Sequence, residues 1–210
     1  MDAKVEAKIK VTSTGEDIVF RVFPTKELLF STSSPNSPFH PSSLKKTDCR
    51  IHPSQSDDGL VHLGKKRHGR VLSQPNSKVC HDILKRECDE FSVLVDKVKL
   101  WVTLTMPNGD NFGKCTVLGE LDRAHQSAFN IRDTARQDYL ARAKICSKIL
   151  KYPNIDDYHL SLEEHDERQQ YLAREQLTDL RGLYAVITDL IQKNISKIRK
   201  PKANNSVGLY

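Results

Sequence analysis

Between residues 77 and 199 the apolar side chains recur at alternating steps of three and four, with two short breaks. That rhythm gathers them on one helical face, whereas a strand would need apolar residues at every second position. The first stripe is Leu84, Cys88, Phe91, Val95, Val98 and Val102, on a helix expected from about 77 to 106. The second is Val117, Leu121, Ala124, Ala128, Ile131 and Ala135, continuing to Cys146 and Ile149. Its helix should end at Tyr152-Pro153, because proline disfavours helical geometry in the residue before it. On a last helix, from about 155 to 199, Leu177, Leu180, Tyr184, Ile187 and Ile191 form one seam. Leu183, Val186 and Leu190 form a second beside it. Two adjacent seams are wider than a two-stranded coiled coil uses. They suit a bundle, or a bundle whose outer faces meet other subunits.

Residues 5–30 add a first helical segment, with Ile18, Val19, Val22 and Phe23 on one face. Gly15 and Pro24 interrupt it, so two short helices or one kinked helix are expected. Turn-forming residues fill 107–113, and short connections there and at 153–155 make neighbouring helices antiparallel. The expected fold is all-α, an elongated antiparallel four-helix bundle with helices about 45 to 65 Å long.

The stretch 31–77 differs in texture. It is rich in serine and proline, shows no apolar period, and is longer than an ordinary loop. Its composition buries too little surface to offset ordering entropy, so disorder is expected. The chain thus divides into an N-terminal helical segment (1–30), a disordered basic insert (31–77) and a main helical region with a C-terminal tail (78–210).

Composition narrows the function. Apolar residues are 38% and charged residues 29% of the 210 positions, enough for stripes but not for a multilayer core. No apolar run approaches the roughly 20 residues of a membrane span, and the N-terminus has no secretory apolar stretch. An intracellular protein without a membrane partner is expected. Five cysteines without a CxxC pair argue against a disulfide framework or zinc knuckle. His159 and Glu163 share a helical face, but His165 points elsewhere, so no metal is expected. No nucleophile triad, phosphate loop or dinucleotide motif is present, which predicts neither enzyme activity nor a cofactor. The net charge of +6 permits an anionic partner. A basic helical nucleic-acid-binding or scaffold protein is therefore the competing reading. The acidic pairs Asp156-Asp157, Glu163-Glu164 and Asp166-Glu167 oppose it, as does the lack of an aromatic-basic platform in the sequence.

Three motifs, in order, resemble the REG (11S) proteasome activators. Leu100-Trp101-Val102, followed through Pro107 by Asn108, Gly109, Asp110, Asn111, Phe112 and Gly113, is similar to that family's helix end and activation loop. Arg142-Ala143-Lys144, with Lys151-Tyr152-Pro153-Asn154-Ile155-Asp156-Asp157-Tyr158, resembles the connection between its last two helices. Lys197-Ile198-Arg199-Lys200-Pro201 and the final Leu209-Tyr210 resemble its C-terminus. Within the family the chain looks most like the nuclear, gamma-type branch.

The resemblance implies a homo-oligomeric ring, a heptamer, that caps the 20S proteasome core without ATP and favours passage of peptides. It assigns docking on the core's alpha-subunit ring to Val207, Gly208, Leu209 and Tyr210 with the terminal carboxylate. Gate opening falls to Asn108, Gly109, Asp110, Asn111, Phe112 and Gly113. Lys144 matches a lysine that restricts which cleavages are stimulated. The basic run Lys65, Lys66 and Arg67 matches a nuclear-import cluster, implying a nuclear protein that can also be cytoplasmic. Each motif also has a plainer account. Asn-Gly-Asp is ordinary turn chemistry, a basic run is commonly a solvated cluster, and the cations from Lys193 to Lys202 complement a helix dipole. The loop is shorter than the family's and has Asp110-Asn111 where the family has two asparagines. That keeps open a member that docks but opens the gate poorly.

Overall fold

The structure, a computed structural model, describes residues 3–29, 34–43, 51–53, 69–105 and 111–199. Proline sets the helix boundaries. Helix α3 (Pro75–Thr105) opens on a proline, whose missing N–H is no loss in a first turn. Helix α4 (Asn111–Lys151) stops two residues before Pro153, and α5 (Asp156–Arg199) begins three residues after it. Between them the Ile155 N–H donates to the Tyr152 carbonyl at 3.3 Å, closing a turn with Pro153 in second place. Asp156 and Asp157 in the first turn of α5, and Lys197 and Arg199 in its last, complement the helix dipole.

The N-terminal segment stays helical throughout: α1 (Ala3–Asp17), a π-helical turn (Ile18–Val22) and α2 (Phe23–Leu29). The Phe23 N–H donates to the Ile18 carbonyl, five residues back, immediately before Pro24. Widening the helix there accommodates a residue that has no N–H and whose ring would press on the preceding turn. The irregularity expected at Pro24 is thus a π turn within one continuous run.

Two compact units are present. The first comprises Met1–Ser31, Leu84–Arg132 and Gln176–Tyr210, and the second Thr32–Ile83 and Asp133–Glu175. In the first, all four helical stretches share one core as a bundle. Ion pairs give the directions. Lys99 meets Asp122 at 2.7 Å and Asp89 meets Arg132 at 2.6 Å, so α4 runs against α3. Lys26 meets Glu87 at 2.9 Å and Arg199 meets Glu16 at 2.8 Å, so the N-terminal run opposes both α3 and α5.

The stripe from Leu84 to Val102 is buried in full, as are Val117, Leu121, Ala124 and Ala128 on α4 and the seam from Leu177 to Ile191 on α5. Each large apolar side chain so buried contributes about 1.5–3 kcal/mol. Tyr184 sits at the centre, edge-on to Phe23 at 5.2 Å and to Phe91 at 4.9 Å between ring centroids. The second seam is only partly used: Leu183 and Leu190 pack against the core, whereas Val186 is 59% exposed. Cys88 is a core thiol, pushed up to about 12 by burial and then by the charge of Asp89.

Within the stretch 31–77, residues 34–43 form local turns in the second unit. There the Ser37 N–H donates to Ser34 O at 2.9 Å, His40 N–H to Ser37 O at 3.0 Å, and Ser43 N–H to His40 O at 2.9 Å. These are three successive turns, and Pro35, Pro38 and Pro41 hold the second place in each. Proline presets the backbone angle that this place requires, so three residue triplets order themselves without an apolar period. Strands β1 (His52–Pro53) and β2 (Gly69–Arg70) pair antiparallel. Gly69 lies where a Cβ would collide with Ile51 and crowd Leu150 of α4. Residues 44–50 and 54–68 lie outside the described residues.

Candidate functional site

The loop and tail assigned by resemblance are bounded by well-anchored helix ends in the first unit. At the end of α3, Trp101 and Val102 are fully buried, and the Thr105 hydroxyl donates to the Trp101 carbonyl at 2.7 Å. Helix α4 starts at Asn111, earlier than the 107–113 break suggested, so Asn111, Phe112 and Gly113 form its first turn. A first turn tolerates glycine and leaves its amides without carbonyl partners in the helix itself. Asn108, Gly109 and Asp110 lie outside the described residues. Val117 and Leu121 then pin α4 to the core.

The C-terminal end of α5 is fixed through Ile198, which is buried, and through Arg199. The Arg199 Nε donates to Glu16 at 2.8 Å, and its guanidinium lies 5.9 Å from the Phe20 ring centroid. Gly15, adjacent to Glu16, is pressed against Trp101. The last turns of α3 and α5 therefore both abut the Gly15-Glu16 step of α1. The described ends of α3, at Thr105, and of α5, at Arg199, lie at the same end of the first unit.

Lys144 is exposed on α4 in the second unit. Lys65, Lys66 and Arg67, and Val207, Gly208, Leu209 and Tyr210, lie outside the described residues. Cys80 and Cys88 are buried, as their helical positions suggested. His165 pairs with a carboxylate, its Nε2 lying 2.8 Å from Asp138 Oδ1. No cluster of three metal-ligating residues occurs among the described residues, and no described helix is long and apolar enough to cross a membrane.

Two features escaped the sequence reading. Asp138 of α4, 3% exposed, gathers His165 of α5 and, from α3, the Ser77 hydroxyl at 3.3 Å and the His81 ring at 3.7 Å. Beside it Arg142 grips Asp166 with two bonds of 2.9 and 3.2 Å. Burial lowers the Arg142 pKa, but the paired carboxylate more than offsets this and holds it above its ordinary value. Polar residues on buried helical faces give no periodic signal, so only the fold could show this cluster. The second feature is aromatic and basic: Tyr152 stacks on Tyr158 at 6.1 Å, with the Lys151 and Lys148 ammonium groups 5.1 and 5.9 Å from its ring centroid. The sequence showed no such platform because the turn at Pro153 creates it.

The first unit is thus a helical bundle in which the last turns of α3 and α5 meet α1 at one step, Gly15-Glu16. Residues 72–208 match the family profile described as Proteasome activator PA28, C-terminal. Proteasome activator complex subunit 3 of Gallus gallus and of Homo sapiens are each 29% identical over 248 aligned positions, spanning 100% of this chain and 98% of the relative. Proteasome activator 28 of Dictyostelium discoideum is 26% identical over 136 positions, covering 62% of this chain and 60% of that protein. A solved structure, the 11S subunit of the Plasmodium falciparum proteasome, PA28, superposes with a TM-score of 0.77 at 27% identity. It covers 95% of this chain and 93% of that one. The chain belongs to the PA28 family of proteasome activators. It is a regulatory protein and not an enzyme.

Proposed function

We propose that this chain activates the 20S proteasome core without ATP, docking on the alpha-subunit ring through Val207, Gly208, Leu209 and Tyr210. The connection that ends in Asn111, Phe112 and Gly113 opens the gate. The observation that carries this reading is the shared end of the first unit. The turns that release the connection and the tail both abut Gly15 and Glu16, so one docked face can engage both. A single flexible tail binds weakly because it loses entropy on ordering, whereas several on one oligomer bind tightly. A homo-oligomer, a heptameric ring, supplies that multiplicity. The exposed apolar residues Phe129 and Val186 support a surface that meets other subunits. Lys144 restricts the cleavages stimulated, and Lys65, Lys66 and Arg67 direct the chain to the nucleus.

A second reading is favoured by the early start of α4. Drawing Asn111, Phe112 and Gly113 into a helix shortens the free connection, which fits a member that docks but opens the gate poorly. Latent 20S core and a fluorogenic peptide, with and without the purified chain, separate the two. Copurification with a large rise in hydrolysis supports full activation, and copurification without it supports docking alone. Absence of binding rejects both.

A further inference from the structure

The middle turn of the 34–43 stack is held by a clamp in the second unit. The Pro38 carbonyl accepts from Asn76 Nδ2 at 3.0 Å, from Gln170 Nε2 at 2.8 Å and from the Cys80 thiol at 3.4 Å. Asn76 Nδ2 also donates to Gln170 Oε1 at 2.7 Å, which fixes the two amides against each other. Phe39, the next residue, is 3% exposed, while Gln170 is 4% exposed and Cys80 fully buried. The arrangement combines an apolar anchor with a carbonyl clamp drawn from α3 and α5. A buried amide N–H that loses its acceptor is destabilising, so the Gln170 Nε2 donor favours an occupied clamp.

The occupant carries its own shape. Its turns are closed by bonds within 34–43, including Ser43 Oγ to Ser37 O at 2.6 Å and Phe39 N–H to Ser37 Oγ at 3.3 Å. Prolines at every third position limit its alternatives, so little entropy remains to be lost on docking. We propose that Asn76, Cys80 and Gln170 form a peptide-binding site for a proline-phenylalanine turn. The chain fills this site in cis with Pro38 and Phe39, and an unattached peptide of the same chemistry can fill it in trans. The proposal is independent of proteasome activation. Covalent attachment gives the cis segment a high effective concentration, so in the intact chain an external peptide competes poorly.

Alkylation of Cys80 in the full-length chain, read by mass spectrometry, tests this. In the wild type Cys80 should react slowly, being covered and held by burial at a pKa of about 11. Phe39→Ala should accelerate its reaction on the order of a hundredfold, since truncating a buried phenylalanine releases the segment. A synthetic peptide spanning 34–43 should then restore protection saturably, and the same peptide with alanine for phenylalanine should not. Adding Gln170→Ala should abolish the peptide's effect. Cys88, in the core of the first unit, reports global unfolding and should remain unreactive throughout. If it reacts in Phe39→Ala, Asn76→Ala serves instead, removing one clamp donor while keeping the anchor; Cys80 should again react faster and regain protection from the peptide. Cys80 as unreactive in a folded variant as in the wild type, or no protection at millimolar peptide, overturns the proposal.

Discussion

Gly15 of α1 lies so close to Trp101 of α3 that a Cβ on it would stand 2.5 Å from the indole Cγ. Trp101 is fully buried, and the chain leaves α3 only a turn later. Gly15→Ala should therefore displace the indole and lower stability by about 1–3 kcal/mol, the usual range for overpacking a core. Gly182, on the exposed face of α5, has nothing within 4 Å of an added Cβ. Gly182→Ala should stabilise by about 0.5–1 kcal/mol through helix propensity alone. Urea unfolding of both variants checks the pair, and equal shifts would refute the packing account.

The Arg142–Asp166 pair has side chains only 11% and 2% exposed. Arg142→Met removes the guanidinium that grips the buried Asp166 carboxylate and should cost about 3–5 kcal/mol. Adding Asp166→Leu should recover most of that loss, because removing both charges also removes the desolvation. Arg142→Lys should rescue only partly, since an ammonium cannot reproduce the two-pronged contact. A double-mutant cycle by thermal unfolding measures this, and additive losses would contradict it.

Alkaline pH should weaken the fold through its core thiols. Burial raises Cys80 from 9.0 to about 11 and Cys88 from 9.0 to about 12. The unfolded chain therefore loses these protons first as pH rises. Their stabilising contribution is complete below pH 9 and is lost progressively up to about pH 12, on the order of a few kcal/mol together. Replacing both with alanine should flatten the decline between pH 9 and 11, whatever its effect at pH 7. An unchanged slope would show that other groups govern it.

Docking and gate opening should separate. Asn111→Tyr puts a bulky ring on the first residue of α4 and should leave core binding intact while reducing peptide hydrolysis to that of the core alone. Deleting residues 207–210 should abolish binding and stimulation without changing oligomer size, since the helical core ends upstream. Pull-down, native mass spectrometry and the peptide assay read these outcomes. Normal stimulation by the Asn111→Tyr variant would make the connection a simple turn.

Lys144→Glu should broaden the peptide classes whose hydrolysis is stimulated, without altering melting, because the side chain is exposed. A panel of fluorogenic peptides with different cleavage residues gives the profile, and an unchanged one would remove Lys144 from specificity control.

Most of the helical architecture could be read from the sequence. The stripe from Leu84 to Val102 and the seam from Leu177 to Ile191 are apolar at helical spacing, and every member is buried. Pro153 marked the turn between α4 and α5, since a residue before proline resists the helix. Turn chemistry marked 107–113, but only resemblance assigned Asn108 to Gly113 to gate opening, and the sequence did not show that α4 would begin as early as Asn111. The turns at 34–43 carry a different signal, proline at every third position rather than apolar periodicity.

Local rules determined what the sequence alone could determine: helical spacing fixes which faces are apolar, and proline fixes where helices stop. Tertiary structure decided what depends on residues distant along the chain. Only the packed bundle sets Gly15 on Trp101 and Glu16 on Arg199, bringing two chain exits to one end. Only the packing of the second unit makes Asn76 and Gln170 converge on the Pro38 carbonyl, and brings Asp138 to histidines from two other helices. A polar side chain's partner is set by the three-dimensional register of helices, which no spacing along one helix encodes.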